Sequence, residues 1–168
     1  MDTFTIRREA EADIPAIRGL TSRAFVDKPY SRQREAEIVE KLRDTDALTL
    51  SFMAVKGPAV VGHIAVSPVG ISDGTANWYA VGPISVAPER QGEGIGSLIL
   101  ERALTELRGM GAGGVVAVGD ATFLERFGFE DVPGLVWPGM DPQFVRALAL
   151  ADAAVPAGTI LYHEAFSR

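Results

Sequence analysis

The chain has no cysteine. That excludes disulfides, thiolate metal sites and a cysteine nucleophile, so any group transfer it performs is direct or uses another nucleophile. Long apolar runs are also missing. The most apolar carboxy-terminal stretch, residues 145–161, is broken by Arg146, Asp152 and Pro156, and the amino terminus is polar and acidic. Neither a membrane span nor a secretion signal is expected, which points to a cytoplasmic protein with no membrane partner. Cations are in deficit, 16 Lys and Arg against 22 Asp and Glu, for a net charge of −6. Nucleic acid is therefore not an expected partner, because a phosphate backbone needs clustered cations, and any anionic ligand must be captured locally. A negative field favours approach of an amine, although charge of this size also serves solubility alone. The sequence has no internal repeat, low-complexity tract or linker. With 168 residues, 47% of them hydrophobic, a single domain over 1–168 with a substantial core is expected.

What the chain does have is a glycine-rich turn between a strand and a helix, residues 81–100, VGPISVAPERQGEGIGSLIL. Glycines at 92, 94 and 96 let bare backbone approach a ligand. The N–H groups that open the helix have no partner within it, and the helix dipole adds roughly half a positive charge there. Such a turn suits a diphosphate without any lysine. A Walker loop is excluded, since Ser97 and Leu98 stand where Lys-Ser/Thr is required. A dinucleotide fingerprint counted from Gly92 would need glycine where Ser97 stands. Asp120, at the end of the next strand, is placed as a ribose-binding acid would be, which keeps that motif as a minor alternative.

Gln91-Gly92-Glu93-Gly94-Ile95-Gly96 matches the pattern Gln/Arg-x-x-Gly-x-Gly/Ala after a strand ending Val-Ala-Pro. It closely resembles the acetyl-CoA-binding motif of the GNAT superfamily of N-acetyltransferases. Phe4-Thr5-Ile6-Arg7-Arg8 with Asp13-Ile14-Pro15 resembles the superfamily's first strand and helix entry, and FLERFGF at 123–129 its aromatic-Gly-Phe signature. GPISVAPERQGEGIG, GDATFLERFGF and GTILYHEAF are similar to the bacterial YhbS-like branch, so the resemblance spans nearly the whole chain.

The resemblance implies an α/β (α+β) fold, a mixed and mostly antiparallel central sheet with helices on both faces. It implies acetyl-CoA as cosubstrate, with Ile84, Ser85 and Val86 pairing their strand edge with the pantetheine arm. The N–H of Val86 would polarise the thioester carbonyl, and Gln91, Gly92, Glu93, Gly94, Ile95, Gly96 and Ser97 would hold the diphosphate. Arg126 is either a phosphate contact or a surface arginine. The acceptor would be a primary amine of a small molecule or a protein. The alternative is a non-catalytic acyl-CoA-binding or sensing module, kept open by one departure: the usual tyrosine acid position is Leu124. Tyr30, Tyr79 and Tyr162 remain as other phenols. A thiol with a pKa near 8.5 leaves tolerably even without an acid. An alkyl ammonium, pKa about 10.4, must first lose a proton, and Glu89, Asp120, His63 and His163 are the candidate bases, each more readily read as structural. Oligomeric state is open, with a homodimer among the arrangements allowed.

Periodicity and punctuation predict a first helix led by Ile14, Ile17, Leu20 and Phe25 with Asp13 as its cap, and a second over 35–43. Strands follow at 48–55, 59–69 and 79–86, with a tight hairpin at Lys56-Gly57-Pro58. The strongest helix spans 95–107, with Ile95, Leu98, Ile99, Arg102, Ala103 and Leu107 on one broad face. Beyond it come a strand at 114–119, a short helix at 122–127, a strand from Phe129, a loop at 133–142, a short helix at 144–150 and a last strand at 159–166. The pairs Arg7/Arg8 and Arg32/Arg34 are read as solvated.

Overall fold

The computed structural model describes residues 3–167. Strands β1 (Thr5–Arg8), β2 (Leu50–Lys56), β3 (Ala59–Ile71) and β4 (Trp78–Val86) pair antiparallel in chain order. Lys56 lies opposite Ala59, so Gly57-Pro58 is the two-residue hairpin turn the sequence predicts. β5 (Gly114–Val118) joins β4 parallel; after the short β6 (Leu135–Val136), β7 (Val145–Ala149) returns antiparallel to β5. β8 (Gly158–Leu161) ties β6 to the end of β3 and completes eight strands.

The sheet is buried on both faces, which explains the apolar run 52–55 within β2. Phe52 and Ala54 join Ile95, Ile99 and Leu100 of α3 (Ile95–Gly109) in the main core. Met53, between them, points the other way and packs with Ile17 of α1 (Ile14–Ala24) and Val39 of α2 (Glu35–Asp44). The buried face of α3 is Ile95, Ile99, Leu100, Ala103, Leu104 and Leu107, whereas Leu98 is 43% exposed and Arg102 is exposed. The expected face is therefore rotated: the 95, 99, 103, 107 row is kept, but its neighbours are the 100, 104 row.

Two features of β4 open the centre of the sheet. Its parallel pairing with β5 stops at Ala80 opposite Val116, so the β5-facing edge of residues 81–86 has no strand partner among the described residues. Opposite β3, three steps of β4 from Val81 to Ile84 match two of β3 from Ile64 to Val66, a bulge at Gly82-Pro83. Below the opening the strands are held close by Trp78, whose indole lies over Gly114. A Cβ on Gly114 would come within 2.3 Å of that ring, so only glycine fits.

Several expectations are corrected. Residues 144–150 form a strand, β7, rather than a helix: Val145 and Ala147 turn inward, and five pairings with β5 override the helix preference of Ala and Leu. Phe129 starts no strand, and Glu130 makes a single bridge to Ala147. The 133–142 loop contains β6, and the last strand ends at Leu161 before a turn at Glu164–Phe166. The four arginines are largely solvated, as expected, and each also has a partner. Arg7 pairs with Asp13 at 2.8 Å and Arg8 with Glu106 at 3.3 Å, while Arg32 and Arg34 each donate at 3.0 Å to a backbone carbonyl, of Gly139 and of Ser167. Asp13 precedes α1 as expected, but its carboxylate is taken up by Arg7 and the Ala10 N–H rather than by the helix amides.

Candidate active site

A cavity of about 500 Å³ fills the gap between β4 and β5. Val81, Gly82, Pro83, Ile84 and Val86 line it from β4 and Val116, Ala117 and Val118 from β5. One end is closed by Gln91, Gly92 and Gly96 with Phe123, Leu124 and Arg126 from α4 (Ala121–Glu125) and the turn after it. The glycine-rich turn has the form the sequence predicts, with Gly92 and Gly94 at φ of +86° and +83°. Gly94 caps α3, and the first helical bond runs from the Leu98 N–H to the Gly94 carbonyl at 3.1 Å. The amides of 95, 96 and 97 precede that bond and are the free donors of the helix start.

Not every expected contact residue faces the cavity. Ile84, Val86, Gln91, Gly92 and Gly96 line it; Glu93, Gly94 and Ser97 do not. Ser85 is buried on the other face, and the Ile95 side chain is core. For these residues only backbone groups are suited to a ligand.

Leu124 is 1% exposed and packs in the main core, so the position of the missing tyrosine carries no proton. The cavity's own phenols are Tyr30 and Tyr162, while Tyr79 lies outside it. The Tyr162 hydroxyl donates to the Pro138 carbonyl at 3.2 Å. The Tyr30 hydroxyl makes no hydrogen bond among the described residues, and burial, with Asp120, Glu35 and Asp27 adding negative potential, pushes its pKa up to about 12. The sequence could not single out Tyr30, because it lies in an irregular segment between α1 and α2 with no periodicity.

Of the candidate bases only Asp120 lines the cavity, and it caps α4, accepting from the Thr122 and Phe123 amides at 2.9 and 3.3 Å. Glu89 is exposed, 4.0 Å from Arg23. His163 accepts from the Ala165 amide through Nδ1 and meets Thr45 through Nε2. Arg126 stacks over Phe123 at 5.3 Å.

His63 is fully buried away from the cavity, with Nε2 2.8 Å from the Ser51 hydroxyl. The Glu9 carboxylate can only accept, so Ser51 donates to it and His63 Nε2 must carry the proton donated to Ser51. Burial lowers the His63 pKa from 6.5 to about 4, with Glu9 opposing and Arg43 assisting. Burial raises Glu9, but hydrogen bonds from Arg43 and Ser51 outweigh it and leave Glu9 below its ordinary 4.5. The unfolded chain thus binds a proton that the folded His63 refuses. This contribution to stability is complete above pH 6.5 and is lost as pH falls towards about 4, on the order of 3 kcal/mol in all, with Glu9 adding loss in the same direction below it. Urea midpoints should fall across that window, and His63→Gln should flatten the fall; equal slopes for both proteins would assign the acid sensitivity elsewhere.

The fold is shared with known proteins. Residues 14–129 match the model of the Acetyltransferase (GNAT) family, and the chain belongs to that family. It is 32% identical over 170 residues to the uncharacterized N-acetyltransferase YhbS of Escherichia coli K12, covering 97% of this chain and 98% of that one. A crystal structure of the Escherichia coli YhbS protein in complex with CoA superposes with a TM-score of 0.88 at 30% identity, covering 100% of this chain and 94% of that one. A GNAT family acetyltransferase from Brucella melitensis in complex with acetyl-CoA superposes with a TM-score of 0.86 at 41% identity, covering 99% and 100%. The mixed, mostly antiparallel sheet expected from the sequence is the fold of these neighbours.

Proposed function

We propose that the chain is a single N-acetyltransferase domain that transfers the acetyl group of acetyl-CoA directly to a primary amine, acting in the cytoplasm. The observation that carries this reading is the unpartnered edge of β4 beside the free amides of the glycine-rich turn, opening into one cavity. The diphosphate would sit on the backbone of residues 91–97, at the positive end of α3. Ile84, Ser85 and Val86 would pair their backbone with the pantetheine amides as an added strand. Acetyl-CoA bound to the Brucella melitensis protein and CoA bound to the YhbS protein support this choice of cosubstrate.

The amine attacks the thioester carbon, the C–S bond breaks, and its electron pair leaves on sulfur. Negative charge appears first on the carbonyl oxygen, within reach of a β4 amide such as that of Val86, and then on sulfur. Tyr30 is the cavity's free phenol, and we assign to its hydroxyl a hydrogen bond to that developing charge in place of the absent tyrosine at 124. The test is CoA release with a broad amine panel, acceptor-independent hydrolysis subtracted. Amine-dependent release with matching N-acetyl product supports the reading. Tight acetyl-CoA binding with no transfer to any amine would replace it with a sensing module.

A further inference from the structure

The end of the cavity away from the glycine-rich turn has a distinct chemistry. Trp137 stacks on Tyr162 at 4.9 Å with Phe166 edge-on at 5.4 Å, and Tyr30 packs between Phe25 and Phe144 at 6.3 and 5.5 Å. These walls offer a large apolar contact area. The charged groups among them are Lys28, Arg32 and Arg34 against one carboxylate, Glu35, whose Oε1 accepts from Ser31 at 2.6 Å. Cations thus outnumber acids here in a protein whose net charge is −6. Asp120 and Arg126, one of each sign, also line the cavity.

The cations are not equivalent. Arg32 and Arg34 hold chain segments in place, through the carbonyls of Gly139 and Ser167, and Arg34 also pairs with Glu37 at 3.2 Å. Lys28 is half-buried, and its ammonium makes no ion pair or hydrogen bond among the described residues. A cation that lines the cavity with no protein partner is available to pair with an anionic group of a bound molecule. Asp120, Glu35 and Asp27, by contrast, all put negative potential at Tyr30, which favours an ammonium beside that ring.

We propose that the acetyl acceptor is an amine that also carries an anionic oxyacid group, a carboxylate or phosphonate, on an apolar body. The amine enters beside Tyr30, the oxyacid meets Lys28 with Arg32 nearby, and the apolar body lies on Trp137 and Tyr162. The nitrogen loses a proton to solvent, forms a C–N bond to the acetyl carbon, and CoA leaves as thiolate to be protonated. This proposal rests on the transferase reading above.

Matched acceptors test it: phenylalanine against phenethylamine, tryptophan against tryptamine, and 1-amino-2-phenylethylphosphonate as the phosphonate arm. In the CoA-release assay, kcat/KM should favour the anionic member of each pair by tenfold or more, with the better oxyacid identifying the group. Lys28→Glu should shrink that ratio at least tenfold through KM, with calorimetry of acetyl-CoA binding confirming a folded variant. Turnover of the uncharged-tail amines at equal or higher kcat/KM would overturn the proposal and leave the transferase reading standing. So would a Lys28→Glu loss equal for both members of a pair. Absence of transfer to every amine would overturn both.

Discussion

Gly94→Glu should weaken acetyl-CoA binding by well over tenfold, a loss above roughly 1.4 kcal/mol. The space at Gly94 is not the issue, since a Cβ there would meet nothing within 4 Å. The backbone is: φ is +83°, where an L side chain is strained by roughly 1–2 kcal/mol, so the turn must deform or bear that strain. A glutamate then adds a negative charge at the positive end of α3, where a diphosphate has to sit. Gly94→Ala separates the two effects, because it brings the strain without the charge and should lose distinctly less affinity. Calorimetry on folded variants decides the matter. Unchanged acetyl-CoA affinity in Gly94→Glu would remove the diphosphate from this turn. Tighter binding of NAD than of CoA by the unmodified protein would instead favour a dinucleotide site.

The turn was legible in the sequence because local chemistry dictates it. Gly92 and Gly94 take backbone conformations that other residues rarely adopt, and the strand and helix around them carry strong periodic patterns. The opening it serves was not legible. It depends on where β4 stops pairing with β5 and on the bulge at Gly82-Pro83, and both are set by register between strands far apart in sequence. The helix expected at 144–150 gives way to β7 for the same reason. Its Ala and Leu favour a helix in isolation, and only the β5 edge, some thirty residues earlier, makes it a strand. The acceptor end was hidden more deeply still. Tyr30, Lys28, Trp137 and Tyr162 come from irregular segments far apart in the chain, and they converge only when β8 ties the last segment to β3. His63, in contrast, lies in the middle of a predicted strand, and a structural role follows from a β3 buried on both faces.

Tyr30→Phe should lower kcat by about tenfold to a hundredfold, the scale of one positioned donor, while acetyl-CoA affinity stays within twofold or so. The substitution keeps the ring against Phe25 and Phe144 and removes only the hydroxyl. Tyr162 cannot take over without giving up its bond to the Pro138 carbonyl, and Leu124 has no proton to give. With its pKa pushed up to about 12, Tyr30 stays protonated wherever the protein is assayed. Its bond to sulfur or oxygen strengthens only as charge develops there, and so it acts on kcat. The pH profile of the unmodified protein should rise on the acidic side as the acceptor amine deprotonates. With an alkyl ammonium acceptor of pKa about 10.4 the rise should continue to about that pH, with no fall from tyrosine ionisation below it; Tyr30→Phe should keep that shape at a lower rate. An unchanged kcat would remove the Tyr30 hydroxyl from the chemistry. A loss confined to acetyl-CoA affinity would make it a binding group, leaving thiolate departure to proceed with solvent as its donor.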